Sequence, residues 1–157
     1  MQAGPRFLLS LVAAVVLCPV VIGSMVIAAP RASAAESCVV EGTDILQARL
    51  EPCGTLAKGA PASVQAITTR ITGPQAIRVK WQEPTGKPAK LYAVYAFTGN
   101  DGTLVCKVKR LRCTATALDV DMEYTFYVVA SNKAGSSAAA ASASVYLPAD
   151  ASPDGFR

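Results

Sequence analysis

The stretch from Leu118 to Ser136, LDVDMEYTFYVVASNKAGS, constrains the fold more than any other part of the chain. From Tyr124 to Ala130 a large or apolar side chain recurs at every second position, which is typical of a strand with one buried face. An acidic segment precedes this strand, and an Asn-Lys-Ala-Gly turn follows it. The region therefore predicts a regular, half-buried strand between two turns.

The same period of two continues on both sides of this strand. Ile77, Val79 and Trp81 alternate with Arg78 and Lys80, which predicts a second half-buried strand.

Other segments predict the remaining strands. Leu91–Phe97 is a longer strand, and the following Gly-Asn-Asp-Gly is a turn signal. Leu104–Val108 and Leu111–Leu118 are expected to be the two arms of a hairpin. Ala138–Leu147 fits a last strand, although its alanines alone would also suit a helix. Short strands of this kind, separated by turns between Ser63 and Leu147, indicate a sandwich.

The N-terminus has a different character. Phe7–Ala29 is almost entirely apolar, Pro30 ends the run, and Ala32-Ser33-Ala34 has the small-x-small pattern of a cleavage site. We expect residues 1–35 to be a secretory signal peptide. The apolar run is also long enough to span a bilayer, so an uncleaved signal-anchor is the alternative.

The cysteines support export. The chain has five cysteines, and loss of Cys18 with the leader would leave an even number. The spacing favours the pairs Cys38–Cys53 and Cys106–Cys113, because each closes a short loop. Each bond would be worth about 2–3 kcal/mol by chain entropy. Disulfides of this kind persist in oxidising compartments, so we expect a secreted protein, free or associated with the cell surface.

Residues 36–60 are expected to be a disulfide-closed extension and linker that precedes the sandwich. Asp44 is a candidate cap for a short helix, with Gln47 three residues on and a partial apolar face made by Ile45, Leu46 and Leu50.

Residues 63–148 resemble a fibronectin type III domain. In that family a core tryptophan is followed by a proline, as in Trp81 and Pro84, and a later strand reads Tyr-x-Val, as at Tyr92. The most regular strand carries the family pattern at Leu118, Tyr124, Phe126, Val128, Ala130, Asn132 and Gly135.

The resemblance implies an all-β, immunoglobulin-like sandwich of seven strands over residues 61–148. From their composition, residues 149–157 are expected to be a disordered tail. Tyr124 would be the tyrosine corner, its hydroxyl bonded to backbone upstream. The cysteine pair on the expected hairpin before the Tyr124–Ala130 strand is similar to that of bacterial secreted members. The 28 alanines hint at a high-GC bacterial source, such as an actinobacterium.

The composition argues against catalysis. The chain has no histidine, which removes the commonest general base and histidine metal ligands. Disulfide-bonded cysteines would supply no thiolate, and no phosphate-binding glycine loop is present. We expect no enzyme, no cofactor and no metal. Asp119, Asp121 and Glu123 could gather calcium, but a solvated acidic turn is the simpler interpretation.

The candidate site is the segment between Cys106 and Cys113, KVKRLR, with Lys107, Lys109, Arg110 and Arg112. A disulfide would hold these cations on a rigid tip that could bind a polyanion. The alternative is a charged edge that prevents strands of other molecules from pairing.

These features predict a non-catalytic binding or adhesion module whose partner is a protein or an anionic surface polymer. Without Arg6 and Arg31 the chain has 13 basic and 11 acidic residues, too small an excess to predict a nucleic-acid partner. We expect a monomer, in contact with a membrane only if the leader is retained. The alternative function is a structural spacer or accessory subunit of a cell-surface or carbohydrate-active system, with no ligand of its own.

Overall fold

A computed structural model describes residues 36–42 and 47–150. The expected signal peptide or anchor, the residues Asp44 to Leu46 and most of the expected disordered tail lie outside these ranges. In the described part of the chain, no helix has the length and hydropathy needed to cross a membrane.

The described residues form strands and loops without a helix. The strands are β1 (Ser37–Glu41), β2 (Gln47–Pro52), β3 (Gln65–Gly73), β4 (Ala76–Gln82), β5 (Leu91–Thr98), β6 (Asp101–Val108), β7 (Arg112–Ala115), β8 (Met122–Asn132), β9 (Gly135–Ser136), β10 (Ala140–Ala141) and β11 (Val145–Leu147).

These strands make two sheets that face each other. The small sheet has the order β3-β4-β7, and the large sheet has the order β1-β2-β6-β5-β8-β10, with β9 and β11 also paired to β8. All pairings are antiparallel. Strands β3 to β11 give the seven strands of an immunoglobulin-like sandwich, because β9, β10 and β11 are segments of one interrupted final strand. The expected fold class is confirmed.

The core between the sheets contains the side chains that the alternation predicts. Ile77, Val79 and Trp81 point inward from β4, while Phe126 and Val128 point inward from β8. Trp81 packs against Tyr92, with ring centroids 5.5 Å apart.

Serine hydroxyls fill both interruptions of the final strand. The Ser137 N–H donates to the Ala130 carbonyl at 2.8 Å, and the Ala130 N–H donates back to the Ser137 Oγ at 3.0 Å. Ser142 makes the same pair of bonds with Phe126, at 2.8 and 3.0 Å. The side chain thus replaces a backbone carbonyl, and β8 keeps its partners although the strand is broken.

The prediction that Leu104–Val108 and Leu111–Leu118 form a hairpin is wrong. Its arms became β6 and β7, which belong to different sheets: β6 pairs with β5, while β7 pairs with β4 through Val79↔Cys113. The free edge of β4 supplies backbone partners for β7 that a hairpin with β6 would otherwise have supplied. Residues 109–111 therefore form a crossover from the large sheet to the small one.

The helix expected near Asp44 is also wrong where it can be seen, because Gln47–Leu50 belongs to β2. Strands β1 and β2 form a hairpin closed by the Cys38–Cys53 disulfide, whose Cα atoms are 4.9 Å apart. Strand β2 joins the large sheet by pairing with β6. The local helix-capping pattern does not determine the structure here, because strand pairing supplies more backbone and side-chain contacts.

This hairpin curls over the outer face of the large sheet. The Ala139 N–H donates to the Ser37 carbonyl at 2.8 Å, so β1 reaches the chain between β9 and β10. A second apolar cluster lies underneath, with Ala48, Tyr95 and Phe97 buried at its centre. The Phe97 and Tyr127 rings meet there edge to face, 4.9 Å apart.

Candidate binding surface

The crossover lies at the open edge of the sandwich and is held by the second disulfide. Cys106 on β6 and Cys113 on β7 join the two sheets, with Cα atoms 6.4 Å apart. Between them Lys109, Arg110 and Leu111 are exposed. The expected pairing of all four cysteines is confirmed, and it fixes the position of the crossover at both ends.

Lys107 lies on one side of this edge. Its strand partner is Ala93, whose side chain faces the apolar cluster under the hairpin. The Lys107 ammonium forms an ion pair with the Glu41 carboxylate at 3.4 Å, and both side chains are about half exposed. The Tyr95 hydroxyl donates to the same Glu41 oxygen at 3.0 Å. Burial, and then the bond to Glu41, raise the pKa of the Tyr95 hydroxyl well above its usual value.

Arg112 lies on the opposite side of the sandwich. Its neighbour Cys113 points into the core, so by alternation Arg112 points away from it, onto the outer face of the small sheet. The four predicted site residues are thus not one tip. Lys107 is on one face, Arg112 is on the other, and Lys109 and Arg110 lie on the edge between them.

Three further cations share the outer face with Arg112. They are Arg70 on β3 and Arg78 and Lys80 on β4, all exposed. Lys80 stands opposite Arg112, and Arg70 stands opposite Arg78. In the sequence, Arg78 and Lys80 show only that they occupy the outward positions of an alternating strand. The strand register places Arg78 opposite Arg70 and Lys80 opposite Arg112. No local sequence pattern predicts that register.

The acidic residues before β8 serve the corner of the fold. The Tyr124 hydroxyl donates to the Asp119 carbonyl at 3.0 Å, which confirms the tyrosine corner. The Asp121 carboxylate accepts bonds from the Tyr146 hydroxyl and the Ala149 N–H, each at 3.1 Å. Within residues 36–42 and 47–150, no three His, Cys, Asp or Glu side chains come together as metal ligands.

An open cavity of about 520 Å³ lies between the hairpin and the outer face of the large sheet. Val39, Ala93, Tyr95, Lys107 and Val129 are among its lining residues. Three of its lining residues form a polar cluster, in which the Tyr95 hydroxyl and the Lys107 ammonium both contact the Glu41 carboxylate.

The sequence profile of the fibronectin type III domain matches residues 59–146, which is more than half of the chain. The chain belongs to the fibronectin type III family. Members of this family are non-catalytic modules that serve for binding or as spacers in extracellular or multidomain proteins. No curated protein sequence matches the chain.

Solved structures with the same fold include three of particular use. The structure titled FN3tt mut has 21% identity and a TM-score of 0.51, and covers 57% of this chain and 98% of its own. The twitchin kinase region of C. elegans has 22% identity and a TM-score of 0.51, but the match spans only 17% of that chain. Domains A168–A170 of titin have 16% identity and a TM-score of 0.53, covering 74% of this chain and 50% of theirs. At these identities the likeness concerns the fold.

Proposed function

We propose that the protein is a secreted or cell-surface, non-catalytic module that binds an anionic surface polymer or an acidic protein. Binding would use the exposed cations of the crossover at 109–111. The observation that supports this most strongly is the crossover at 109–111. Lys109 and Arg110 are exposed at its centre, and the Cys106–Cys113 disulfide restrains both of its ends. Restraint of this kind reduces the conformational entropy that a flexible loop loses on binding.

Within residues 36–42 and 47–150, no carboxylate forms an ion pair with Lys109, Arg110 or Arg112. In the described ranges the single ion pair joins Lys107 to Glu41. Lys109, Arg110 and Arg112 therefore remain available to an external anion. Exposed cations raise the local concentration of anionic partners and accelerate their association at low ionic strength.

Two structural features agree with an extracellular location. Both disulfides, Cys38–Cys53 and Cys106–Cys113, are formed. Disulfides are stable outside the cell and in periplasm-like spaces. They fit the leader predicted at residues 1–35, whose cleavage we expect to release a monomeric protein.

Retention on cells or on cell-wall preparations tests the proposal. The protein should bind at low salt and be released as salt rises, because exposed charges are screened. The variant Lys109→Glu, Arg110→Glu should lose retention, and Lys87→Glu, Lys90→Glu should keep most of it. If the first variant is retained as well as the wild type, the crossover is a protected edge and the spacer function is the better account. A spacer should instead co-purify with a larger partner protein.

A further inference from the structure

The outer face of the small sheet carries a line of cations that we name the cationic stripe: Arg70, Arg78, Lys80 and Arg112. Arg70 and Arg78 are paired across β3 and β4, and Lys80 and Arg112 are paired across β4 and β7. Arg78 and Lys80 are neighbours on the same face of β4. The stripe therefore runs diagonally over all three strands and ends beside the crossover, where the Leu111 carbonyl accepts a bond from the Trp81 N–H.

This arrangement is unfavourable for the isolated protein. Like charges directly opposite each other on neighbouring strands destabilise a sheet. In the described part of the chain no carboxylate forms an ion pair with any member of the stripe. Edge protection does not account for it either, because Arg78 and Lys80 belong to the central strand of the small sheet. A bound polyanion would supply the missing opposite charge.

The spacing of the stripe suits a polymer with one negative charge in each repeat. Neighbouring strands are about 4.8 Å apart, and residues two apart on a strand are about 6.7 Å apart. The Cα atoms of successive cations along the stripe are thus separated by roughly 5–7 Å. Thr68 and Thr114 flank the stripe on the same exposed face and add hydroxyl donors.

The side chains on this face favour the binding of phosphate groups over the stacking of nucleic-acid bases. Three of the four cations are arginines, whose planar guanidinium binds two oxygens of a phosphate at once. Proteins that bind single-stranded nucleic acids combine a cationic groove with exposed aromatic side chains on which the bases stack. The described aromatic residues lie in the core, under the hairpin or on the final strand, at Trp81, Tyr92, Tyr124, Phe126, Tyr95, Phe97, Tyr127 and Tyr146.

We propose that the cationic stripe binds a linear polyol-phosphate polymer, laid diagonally across β3, β4 and β7 toward the crossover. The inference rests on the proposed function, since it names the polymer and the face that such a binding module would use. The phosphodiester groups occupy the stripe one after another, while the uncharged polyol units between them make few contacts.

Binding of a fluorescent glycerol-phosphate hexamer to the full chain tests this inference. Arg78→Gln, Lys80→Gln should weaken binding by about tenfold or more, and should reduce the slope of log Kd against log salt by about 2, one for each lost phosphate contact. The matched control is Lys87→Gln, Lys90→Gln, which removes two exposed lysines between β4 and β5 and should bind like the wild type.

Two results would overturn the inference. One is wild-type affinity for the hexamer in Arg78→Gln, Lys80→Gln. The other is tighter binding of a polyglutamate, a sulfated glycan or an oligonucleotide of matched charge than of the hexamer. If either occurs while Lys109→Glu, Arg110→Glu still abolishes retention on cells, only the stripe assignment fails. If the wild type is neither retained on cells nor bound to any of these polymers, the proposed function fails with it.

Discussion

Lys80 and Arg112 stand directly opposite each other on β4 and β7, both exposed and without an ion-pair partner among the described residues. A sheet selected for stability alone would place an opposite charge or a β-branched residue at one of these positions. The pair therefore links the stability of the small sheet to its proposed use as an anion-binding face.

Lys80→Gln should stabilise the protein in the absence of polymer. Removing one of two opposed cations should raise the free energy of unfolding by about 0.2–1 kcal/mol. Urea unfolding at low salt measures this, and the gain should shrink as added salt screens the repulsion. Lys87→Gln is the control, because this exposed lysine lies outside the strands. A loss of stability in Lys80→Gln would show that the two cations do not repel each other.

Much of the fold could be predicted from the sequence, because a half-buried strand shows its inward face by alternation. Ile77, Val79, Phe126 and Val128 lie where that alternation places them. Register is another matter. Nothing near Arg78 shows that it will stand between Arg70 and Thr114, since those partners come from other segments of the chain and are matched only by the assembled sheet.

The errors have the same origin. A short capping pattern around Asp44 suggested a helix, but β2 found backbone partners on both sides, in β1 and β6. The segments around Cys106 and Cys113 resembled a hairpin, because a disulfide-closed loop has the same sequence pattern whether its arms share a sheet or join two. The sequence pattern therefore predicts one cationic tip, and it does not show that the four cations are divided between two faces and the edge.

Gly102 in the large sheet has no room for a larger side chain. It pairs with Phe97 across β5 and β6, and a Cβ at Gly102 would overlap the Phe97 ring. Phe97 is buried and has little room to move. Gly102→Ala should therefore reduce the free energy of unfolding by about 1–3 kcal/mol, as overpacking does.

Chemical denaturation of Gly102→Ala and Gly54→Ala provides the comparison. A Cβ at Gly54 would meet no atom within 4 Å, so this variant should be close to neutral. Equal stability of the two variants would mean that the ring does not occupy the space over Gly102.

Ser137 should be important for the interrupted final strand. Its buried hydroxyl accepts from the Ala130 N–H and donates to the Ala138 carbonyl at 2.8 Å. Ser137→Ala would leave the Ala130 N–H without its acceptor, at a cost of about 1–3 kcal/mol. Thermal unfolding should show this loss, while Ser144→Ala, at an exposed position, should change stability by less than about 0.5 kcal/mol. Similar effects of both variants would contradict the role given to the hydroxyl.

Alkaline pH should loosen the contact between the hairpin and the large sheet. The pKa of Tyr95 is raised, first by burial and then by its bond to Glu41. The folded state therefore holds this proton more tightly than the unfolded state does. The associated stability is fully present below the unfolded pKa of about 10 and is lost as pH rises through the higher folded pKa.

Unfolding measured between pH 8 and 12 tests this linkage. Tyr95→Phe should lose stability less steeply above about pH 10 than the wild type, by up to about 1.4 kcal/mol per pH unit for one proton. An identical slope in both proteins would show that Tyr95 does not carry the linkage.

Backbone amide shifts in NMR spectra, recorded while the glycerol-phosphate hexamer is added to the ¹⁵N-labelled protein, test whether the polymer lies along the cationic stripe. The largest changes should fall on Arg70, Arg78, Lys80 and Arg112 and on the crossover at 109–111. Ala93 and Val129, under the hairpin on the opposite side, should change little. Changes concentrated around Ala93, Tyr95 and Val129, or no changes at saturating hexamer, would contradict it.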